Sequence, residues 1–460
     1  MPRPNIIFIL IDDLGWRDVG CYGSTFYETP HLDRLASEGV RFTDAYAACP
    51  VCSPTRASIL TGKYPATVGL TNYLYGRERG RVISPEYVDH LPLAEESVAS
   101  ALRDGGYQTW HVGKWHLGKE PYWPEKHGFD VNVGGCDWGM PRHSYFSPWK
   151  NPRLVDDVDG EYLPDRLTTE AIRLIRRRGE KPFFLNLWYY LVHIPIQPKP
   201  DLRRKYEERA ASRGLDRKNP FEYGEYFPCD HKKHKQIVRR RFQSDPGYAA
   251  MVESLDENIG RLLAALDEEG LRDDTVVVFT SDNGGLSTAE GSPTSNAPLS
   301  EGKGWMFEGG TREALIVRLP GVTRPGMLCH VPVTSPDFYP TLLEVAGCDA
   351  RPNQHVDGVS FASLLAGGER LDRQAIFWHY PHYGNQGGTP GCSVRSGDFK
   401  LIEFFEDRHV ELYHLTDDVG ETHDLAAERR DVVGELRPML HAWLRSVDAK
   451  IPQPNPDWRP

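Results

Sequence analysis

Cys52 stands at the start of the segment CSPTRASILTG, which combines a nucleophilic side chain with an arginine, Arg56, four residues later. Cys49 precedes Cys52 by three residues, so the two also form a CxxC pair. One interpretation is therefore a thiol–disulfide active site or half of a zinc site. The other interpretation uses Cys52 as the nucleophilic position and Arg56 as a group that binds an anion. The two interpretations predict different enzymes.

Two apolar stretches are each followed by side chains that bind metals. Asp12 and Asp13 follow NIIFILI, and Asp282 and Asn283 follow TVVVFTS. In open α/β sheets, ligands bind at the carboxyl ends of strands, so these four side chains are expected to meet there. Three carboxylates and one amide suit Ca²⁺ or Mg²⁺ better than Zn²⁺. A site for a hard metal favours the second interpretation of Cys52, because disulfide exchange has no use for one.

The residues after Cys52 are predicted to form a helix. Ser53 suits an N-cap, Pro54 suits the first helical position, and Gly62 suits the end of the helix. Cys52 and Arg56 would then lie at a helix N-terminus, where free N–H groups and the helix dipole favour an anion.

The elements that must position these residues alternate in type along the chain. Strands are expected over residues 5–11, 107–112, 182–193 and 275–285, and helices over 30–39, 93–106 and 248–270. This alternation predicts an α/β fold with a large, mostly parallel sheet between helices. After residue 370, strand-like runs and a helix-like tail predict a smaller antiparallel subdomain. We therefore expect a catalytic domain over 1–370 and a subdomain over 371–460.

Composition restricts the class of function. The chain of 460 residues is 39% hydrophobic and 26% charged, as in soluble globular proteins. Its formal net charge of −11 argues against a nucleic-acid binder. No apolar run approaches the roughly 18 residues of a membrane span. Because the first strand begins without a signal segment, we expect a cytoplasmic protein, or a periplasmic or secreted one if this chain is a trimmed form.

Residues 202–242 are rich in lysine and arginine, from LRRKYEERAASR to HKKHKQIVRRR. We favour a solvated helical insertion here over a surface that contacts polyanions. Cys229, His231 and His234 in this stretch are of types that bind zinc, but the surrounding positive charge disfavours a cation.

The segments around these residues resemble those of one family. The blocks PNIIFILIDDLGWRDVGCYG, CSPTRASILTGKYP, GYQTWHVGKWHLG, VHIP, SDNGG and KGWMFEGGTRE follow one another between residues 4 and 313. On these blocks the chain resembles a type I sulfatase of the alkaline phosphatase superfamily, for which C-x-P-x-R followed by S-x-L-T-G is a specific signature. The resemblance implies an alkaline phosphatase-like fold and a sulfuric ester hydrolase. It also implies that a formylglycine-generating enzyme oxidises Cys52 to formylglycine.

The resemblance implies a set of metal ligands and a nucleophile. Asp12, Asp13, Asp282, Asn283 and the modified Cys52 would bind Ca²⁺, with Mg²⁺ as the alternative. The hydrated aldehyde would offer one hydroxyl to attack sulfur and a second hydroxyl through which sulfate is expelled.

The remaining catalytic roles are implied position by position. Arg56 and Lys114 resemble the cations that hold the diol and the sulfate oxygens. His116 resembles the base that takes the proton of the second hydroxyl. His193 and Lys303 resemble the pair that binds sulfate and protonates the departing oxygen.

Two segments outside these blocks are expected to shape the leaving-group pocket. Residues 134–149 and 377–388 combine aromatic residues, histidines and glycines, which suits a sugar and equally suits an aromatic core with turns. Asp137, His379 and His382 are the candidate substrate-binding residues. A likeness to bacterial carbohydrate sulfatases favours a sulfate of galactose or N-acetylgalactosamine over a general aryl sulfate.

Three other classes stay open at this point. A phosphodiesterase or phosphonate monoester hydrolase of the same superfamily would share the modified residue and much of the fold. A thiol oxidoreductase would use Cys49 and Cys52. A non-catalytic module that binds sulfated glycans would keep the pocket and leave Cys52 unmodified.

Overall fold

The computed structural model describes residues 3–459. In this range, seventeen strands form four sheets. In chain order they are β1 Asn5–Ile11, β2 Val40–Tyr46, β3 Val82–Ile83, β4 Gln108–Gly113, β5 Val131–Val133, β6 Phe183–Trp188, β7 Phe221–Tyr226, β8 Gln236–Arg240, β9 Thr275–Ser281, β10 Arg312–Arg318, β11 Met327–Cys329, β12 Val333–Thr334, β13 Ile376–Tyr380, β14 Gly391–Ser396, β15 Phe399–Phe404, β16 Val410–His414 and β17 Gln453–Pro454.

Eleven α-helices lie in the same range. They are α1 Pro30–Glu38, α2 Cys52–Thr61, α3 Pro65–Val68, α4 Val98–Asp104, α5 Leu163–Arg176, α6 Pro200–Ser212, α7 Pro246–Glu268, α8 Glu308–Thr311, α9 Phe338–Val345, α10 Ala362–Leu365 and α11 Arg430–Ser446. Among the helices of residues 3–459, none combines the length and the apolar character that crossing a membrane requires.

The largest sheet has β1 near its centre. Its strand order is β11-β2-β10-β9-β1-β6-β4-β5, and β12 pairs with β2. β1 runs parallel to β6 and β9, whereas β10 runs antiparallel to β9 and β2. A strand covered on both faces is expected to be a continuous apolar run, and all seven residues of β1 are buried. The prediction of a mixed, mostly parallel α/β sheet is confirmed.

β1 contributes to two hydrophobic cores, because successive side chains of a strand point to opposite faces. Its odd-numbered isoleucines pack with α1, α5 and α7 on one face. Its even-numbered side chains pack with α2, α4 and α9 on the other face. Since both faces are packed, the end of β1 is held firmly, and Asp12 and Asp13 follow it directly.

The strand predicted over 182–193 is shorter than expected. It ends at Trp188 as β6, and the next residues form a turn that includes His193. Two backbone hydrogen bonds tie this turn to the end of β1: Val192 N–H donates to Asp12 O at 2.6 Å, and Asp12 N–H donates to Leu191 O at 2.7 Å. His193 therefore lies on a loop attached to the aspartate segment and not at the end of a strand.

The basic stretch 202–242 differs from the helical insertion that we expected. α6 occupies its first part, and β7 and β8 then form an antiparallel hairpin. The one cluster of three or more potential metal ligands within residues 3–459 lies elsewhere in the chain, so Cys229, His231 and His234 do not form one.

The C-terminal region forms a second, antiparallel sheet in the order β13-β14-β15-β16, which confirms the predicted subdomain architecture. One face of this sheet packs against α11. On the other face, Trp378 and Tyr380 pack against Tyr46, Cys49 and Val51, the residues just before α2. The second sheet therefore supports the segment that leads into Cys52.

A buried cluster of charges also joins the second sheet to the first. Lys400 on β15 lies 2.9 Å from both Glu308 and Glu421. Arg312 donates to the same Glu308 carboxylate at 2.6 Å. Glu308 begins α8, shortly after Lys303, so this cluster fixes the end of the loop that carries Lys303.

We expect Lys400→Met to destabilise the chain strongly. The change removes the ammonium group and leaves two buried carboxylates without their shared partner, and breaking such a buried pair costs about 3–5 kcal/mol. Thermal unfolding followed by circular dichroism measures the effect. Lys450→Met is the matched control, because the Lys450 side chain is 66% exposed and has only a surface ion pair. Equal melting temperatures for the Lys400→Met and Lys450→Met chains would contradict this role.

Candidate active site

Cys52 is the first residue of α2, so the helix begins earlier than predicted. Val51, and not Ser53, is the N-cap residue, and the Ser53 hydroxyl instead donates to His116 O at 2.9 Å. Gly62 ends the helix in the left-handed conformation, as predicted, with φ of 68°. Cys52 itself therefore lies at the positive end of the helix dipole.

Four predicted ligand residues converge near Cys52. One ligand atom each from Asp12, Asp282 and Cys52 lie within 4.8 Å of one another, and all three residues are buried. Asn283 Nδ2 donates to Asp13 Oδ1 at 2.8 Å, and Asp13 N–H donates to Asp282 Oδ1 at 3.3 Å. The ends of β1 and β9 thus bring the pair Asp12–Asp13 together with the pair Asp282–Asn283.

This donor set fits a hard divalent cation. The Oδ1 atom of Asn283 is buried and has no hydrogen-bond partner within residues 3–459. Buried polar atoms are nearly always satisfied, so an orphaned amide oxygen beside three carboxylates indicates a place for a ligand. Carboxylate and amide oxygens are the donors that Ca²⁺ takes, and Mg²⁺ is also bound by carboxylates.

Arg56 and Lys114 neutralise two of the carboxylates. Lys114 Nζ donates to both oxygens of Asp12, at 2.7 and 2.6 Å. Arg56 Nε donates to Asp282 at 2.8 Å. All four side chains are fully buried. Because a buried charge without a partner costs several kcal/mol, each of these groups depends on its neighbour.

Lys303 and His193 form a pair beside Asp13. Lys303 Nζ lies 2.7 Å from Asp13 Oδ2 and 3.1 Å from His193 Nε2. His193 Nδ1 lies 2.8 Å from Ile194 O, so Nδ1 carries the hydrogen and Nε2 accepts one from Lys303. Burial and the Lys303 ammonium lower the pKa of His193 to about 3. Although burial opposes the charge, Asp13 holds the pKa of Lys303 above its usual range, so the proton of this pair resides on Lys303.

His116 contacts Cys52 in a constrained backbone conformation. Its Nδ1 lies 3.1 Å from Cys52 Sγ, and its φ of 57° is rare for a residue other than glycine. Such conformations persist where the surrounding structure holds them, which is common at functional sites. Gly139 faces the ring so closely that a Cβ there would lie 2.6 Å from it. Burial, with the charge of Lys114, lowers the pKa of His116, so the ring is neutral and can accept a proton.

Cys49 belongs to the hydrophobic core that contacts the second sheet. It is fully buried against Trp378 and Tyr380, and both Cys49 and Cys52 are free thiols. Burial raises the pKa of both thiols. A redox CxxC needs a thiolate with a lowered pKa, so the geometry does not favour thiol–disulfide exchange.

A cavity of about 290 Å³ opens over Cys52. His116, His193 and Lys303 line it together with Cys52. Arg56 lies behind these residues and is fully buried. We call this the catalytic cavity.

Of the three predicted substrate-binding residues, the structure brings Asp137 to the catalytic cavity. Asp137 lies 3.1 Å from Arg142, which lines the same cavity. His379 and His382 are buried elsewhere. The Nε2 atom of each lies within 3.0 Å of another polar group of the protein, which occupies these rings in internal contacts.

Glu290, Asn385 and Gln386 form a polar rim that the sequence did not indicate. Asn385 Nδ2 donates to one Glu290 oxygen at 2.9 Å, and Gln386 Nε2 donates to the other at 3.3 Å. Gln386 Oε1 is buried and lacks a hydrogen-bond partner in the described part of the chain. Both amides belong to the segment 377–388, in which the sequence favoured the histidines. The glycines on either side of the amides indicate a turn, and this was the signal that could have found them.

Comparison with known proteins gives the family. The sulfatase family model matches residues 4–348. The chain belongs to the sulfatase family. A second family model, described as N-sulphoglucosamine sulphohydrolase, C-terminal, matches residues 302–450, which include the second sheet of this sulfatase.

Similarity to individual sulfatases extends over nearly the whole chain. A sulfatase of Formosa agariphila is 31% identical over 99% of this chain and 93% of its own length. The N-acetylgalactosamine-6-sulfatase of Canis lupus familiaris is 31% identical over 98% of this chain and 88% of its own. The crystal structure of Ps i-CgsB superimposes with a TM-score of 0.78 at 28% identity, covering 99% of this chain and 94% of that one. This sulfatase is therefore a sulfuric ester hydrolase with an alkaline phosphatase-like fold.

We expect Ca²⁺ to raise the melting temperature of the metal-free sulfatase, because a ligand that binds only the folded state stabilises it. At about 100 times the dissociation constant the gain is about 2.7 kcal/mol. Asp282→Asn is expected to lose most of this rise, whereas Asp273→Asn, which alters an exposed aspartate, is expected to keep it. The measurement is differential scanning calorimetry with millimolar calcium or with a chelator. A wild-type melting temperature that is the same in both solutions would rule out this cation site.

Proposed function

We propose that this sulfatase removes sulfate from a carbohydrate sulfate ester, with residue 52 oxidised to formylglycine and a Ca²⁺ ion held by Asp12, Asp13, Asp282 and Asn283. The observation that carries the proposal is the position of Cys52. Its side chain lies at the N-terminus of α2, within 4.8 Å of two carboxylates, in a site where Asn283 Oδ1 has no hydrogen-bond partner among the described residues. Mg²⁺ is the alternative ion, and a formylglycine-generating enzyme is the partner that supplies the modification.

When present, the modified residue would supply two hydroxyl groups on one carbon, one for attack on sulfur and one for release of sulfate, and the ion would supply positive charge beside them. The rest of the chemistry belongs to this chain. His116, neutral and in contact with position 52, would accept the proton of the second hydroxyl, the one that does not carry the sulfuryl group, as the bond between that carbon and the sulfate oxygen breaks. Arg56 and Lys114 hold the carboxylates in place and add positive charge behind the sulfate oxygens.

Lys303 and His193 hold the proton that the leaving oxygen needs. Lys303 donates to His193 Nε2, and both groups line the catalytic cavity. A sulfate ester bound there brings negative charge next to the pair, which opposes the effect of Lys303 on the His193 ring. The proton then moves from Lys303 to His193 and from Nε2 to the ester oxygen as the alcohol departs.

The outer part of the catalytic cavity suits a leaving group with several hydroxyls. Asp137, Arg142, Glu290 and Asn385 offer charged and amide groups, and the unpaired Gln386 Oε1 can accept from a hydroxyl. Two relatives support this assignment. One is named N-acetylgalactosamine-6-sulfatase, and Ps i-CgsB has been solved in complex with k-i-k-neocarrahexaose. Galactose or N-acetylgalactosamine sulfates are the sugars that we expect first.

The mass of the peptide that contains residue 52 tests the modification. We expect a species lighter than the cysteine form in active protein. Cys52→Ala is expected to abolish turnover. Cys52→Ser, made in a host that does not oxidise serine, is expected to release at most one equivalent of alcohol, because it lacks the second hydroxyl. Cys49→Ala is the matched control and should keep both the modification and turnover.

Several results would refute the assignment of residue 52. Continued turnover by unoxidised Cys52→Ser would contradict the two-hydroxyl mechanism, and loss of turnover in Cys49→Ala at unchanged stability would favour the thiol interpretation. Faster hydrolysis of phosphate diesters or phosphonates than of any sulfate ester would assign the wild-type chain to the other activity of the superfamily.

The two histidines are expected to affect different steps. His193→Ala should slow a sugar sulfate far more than nitrophenyl sulfate, because nitrophenolate departs without an acid. His116→Ala should slow both substrates to a common rate, with an initial burst of alcohol, because its step follows departure of the alcohol. General acid–base groups contribute about 10²- to 10⁴-fold in rate, so both effects are measurable by steady-state and burst kinetics. Equal losses on both substrates in both variants, without a burst, would show that this division of roles is wrong.

A further inference from the structure

A second cavity, of about 370 Å³, is lined by four basic side chains: Arg17, Arg213, Lys218 and Arg241. Among the described residues that line it, none is acidic, and none also lines the catalytic cavity. The chain as a whole carries a net charge of −11, so this positive charge is a local concentration. We call this site the cationic cavity.

The positive charge of the cationic cavity is largely unneutralised. Within residues 3–459, no carboxylate oxygen lies within 4.0 Å of a charged nitrogen of Arg17, Arg213 or Lys218. Arg241 lies 2.6 Å from Glu222, but the two side chains are 62% and 53% exposed. Exposed pairs of this kind are screened by water and bind weakly, so an anionic ligand can compete for Arg241.

Two of the guanidinium groups are held by backbone carbonyls. Arg17 donates to Gly23 O at 3.1 Å and to Ala297 O at 2.9 Å. Arg213 donates to Thr25 O at 2.7 Å. These contacts restrict the motion of the two arginine side chains without cancelling their charge. Because the side chains are already restricted, binding of an anion costs less conformational entropy.

The cationic cavity shares its loops with the catalytic cavity. The loop after β1 carries Asp12 and Asp13 at its start and Arg17 further on. The loop after β9 contributes Ala297 to the cationic cavity and Lys303 to the catalytic cavity. Since β1 and β9 are parallel neighbours, both loops leave the sheet at the same edge. The two cavities are therefore lined in part by loops that leave the same end of the sheet, the carboxyl ends of β1 and β9.

The basic stretch 202–242 supplies the other three cations of this cavity. Arg213 and Lys218 come from the segment between α6 and β7, and Arg241 directly follows β8. Part of the positive charge of this stretch thus lies at a cavity, whereas Arg203 and Arg204 are exposed on α6.

We propose that the cationic cavity binds an anionic group, a sulfate or a carboxylate, on the same polyanionic carbohydrate chain whose sulfate ester enters the catalytic cavity. This proposal rests on the proposed function. It makes the preferred substrate an oligosaccharide with at least two anionic groups, and it assigns to the cationic cavity the binding of the part that is not cleaved.

Binding and kinetics of one triple variant test the proposal. Arg213→Ala/Lys218→Ala/Arg241→Ala is expected to bind dextran sulfate about tenfold more weakly than the parent chain at low ionic strength, and the difference is expected to shrink as salt is added. The binding measurements use a Cys52→Ala background, so that no substrate is consumed. In the chain with Cys52 intact, kcat and KM for nitrophenyl sulfate are expected to stay unchanged, because that ester is too small to reach the cationic cavity.

The control variant loses the same number of positive charges at positions outside the cationic cavity. Arg177→Ala/Arg204→Ala/Arg370→Ala removes three exposed arginines that do not line the cationic cavity, and its affinity for dextran sulfate is expected to remain within about twofold of the parent. Unsulfated dextran is expected to bind neither chain. Lys218→Ala alone is the second variant if the triple variant unfolds, since the Lys218 side chain makes no hydrogen bond or ion pair within residues 3–459. This single change is expected to weaken binding by a smaller factor.

Each other outcome overturns the proposal. Equal affinity of the triple variant and the control for dextran sulfate would show that the cavity binds no glycan. An equal loss of affinity for sodium sulfate would assign the cavity to the free product ion. Binding of single-stranded poly(U) RNA as tightly as dextran sulfate would assign it to nucleic acid. Failure of the proposed function is distinguishable, because the wild-type chain would then hydrolyse no sulfate ester, large or small.

Discussion

The pairing of buried charges at the ends of β1 and β9 is the constraint on which the catalytic cavity depends. Three carboxylates and three cations meet there, almost without access to water. A single buried charge without a partner would cost several kcal/mol, so none of these groups could be placed alone. Their mutual attraction holds Lys114 against Asp12 and Lys303 against Asp13, and the backbone around them adopts positive φ angles at Asp13 and His116. The same balance means that an added divalent cation brings net positive charge, which an anionic ester can then neutralise.

The sequence allowed most of the large sheet to be predicted, because strands that are buried on both faces are continuous apolar runs. The prediction of strand ends was wrong where the loop after the strand is as apolar as the strand itself. The residues that follow Trp188 look like more of β6, yet their hydrogen bonds go to the Asp12 segment, and only the fold shows this. The prediction of a helical insertion over residues 202–242 was wrong for a different reason. Charged side chains are exposed on a helix and on a hairpin alike, so composition did not distinguish α6 from β7 and β8.

Lys114, His116, His193 and Lys303 were named only through the resemblance to the sulfatase family, whereas the meeting of the two strand ends was predictable, because the carboxyl ends of neighbouring parallel strands lie at one end of the sheet. The rim of the catalytic cavity was not. Its side chains come from loops far apart in sequence, and an aromatic, glycine-rich segment does not show which of its polar groups face inward. In residues 377–388 the histidines turned into the protein, whereas Asn385 and Gln386 reached the cavity. Cys49 shows the same limit, since its spacing from Cys52 suggested redox chemistry and its burial among aromatic rings assigns it to packing.

The packing of the second sheet on residues 46–51 has a consequence for the order of events during synthesis. Trp378 Nε1 donates to Ala47 O at 2.8 Å, just upstream of Cys52, and Cys52 is only 3% exposed in the finished fold. The ribosome makes Cys52 more than three hundred residues before Trp378. Throughout that interval the second sheet is not yet present to pack on the segment around Cys52. The enzyme that we propose to oxidise the Cys52 side chain would therefore have its best access while the nascent chain is still growing, before the second sheet has formed.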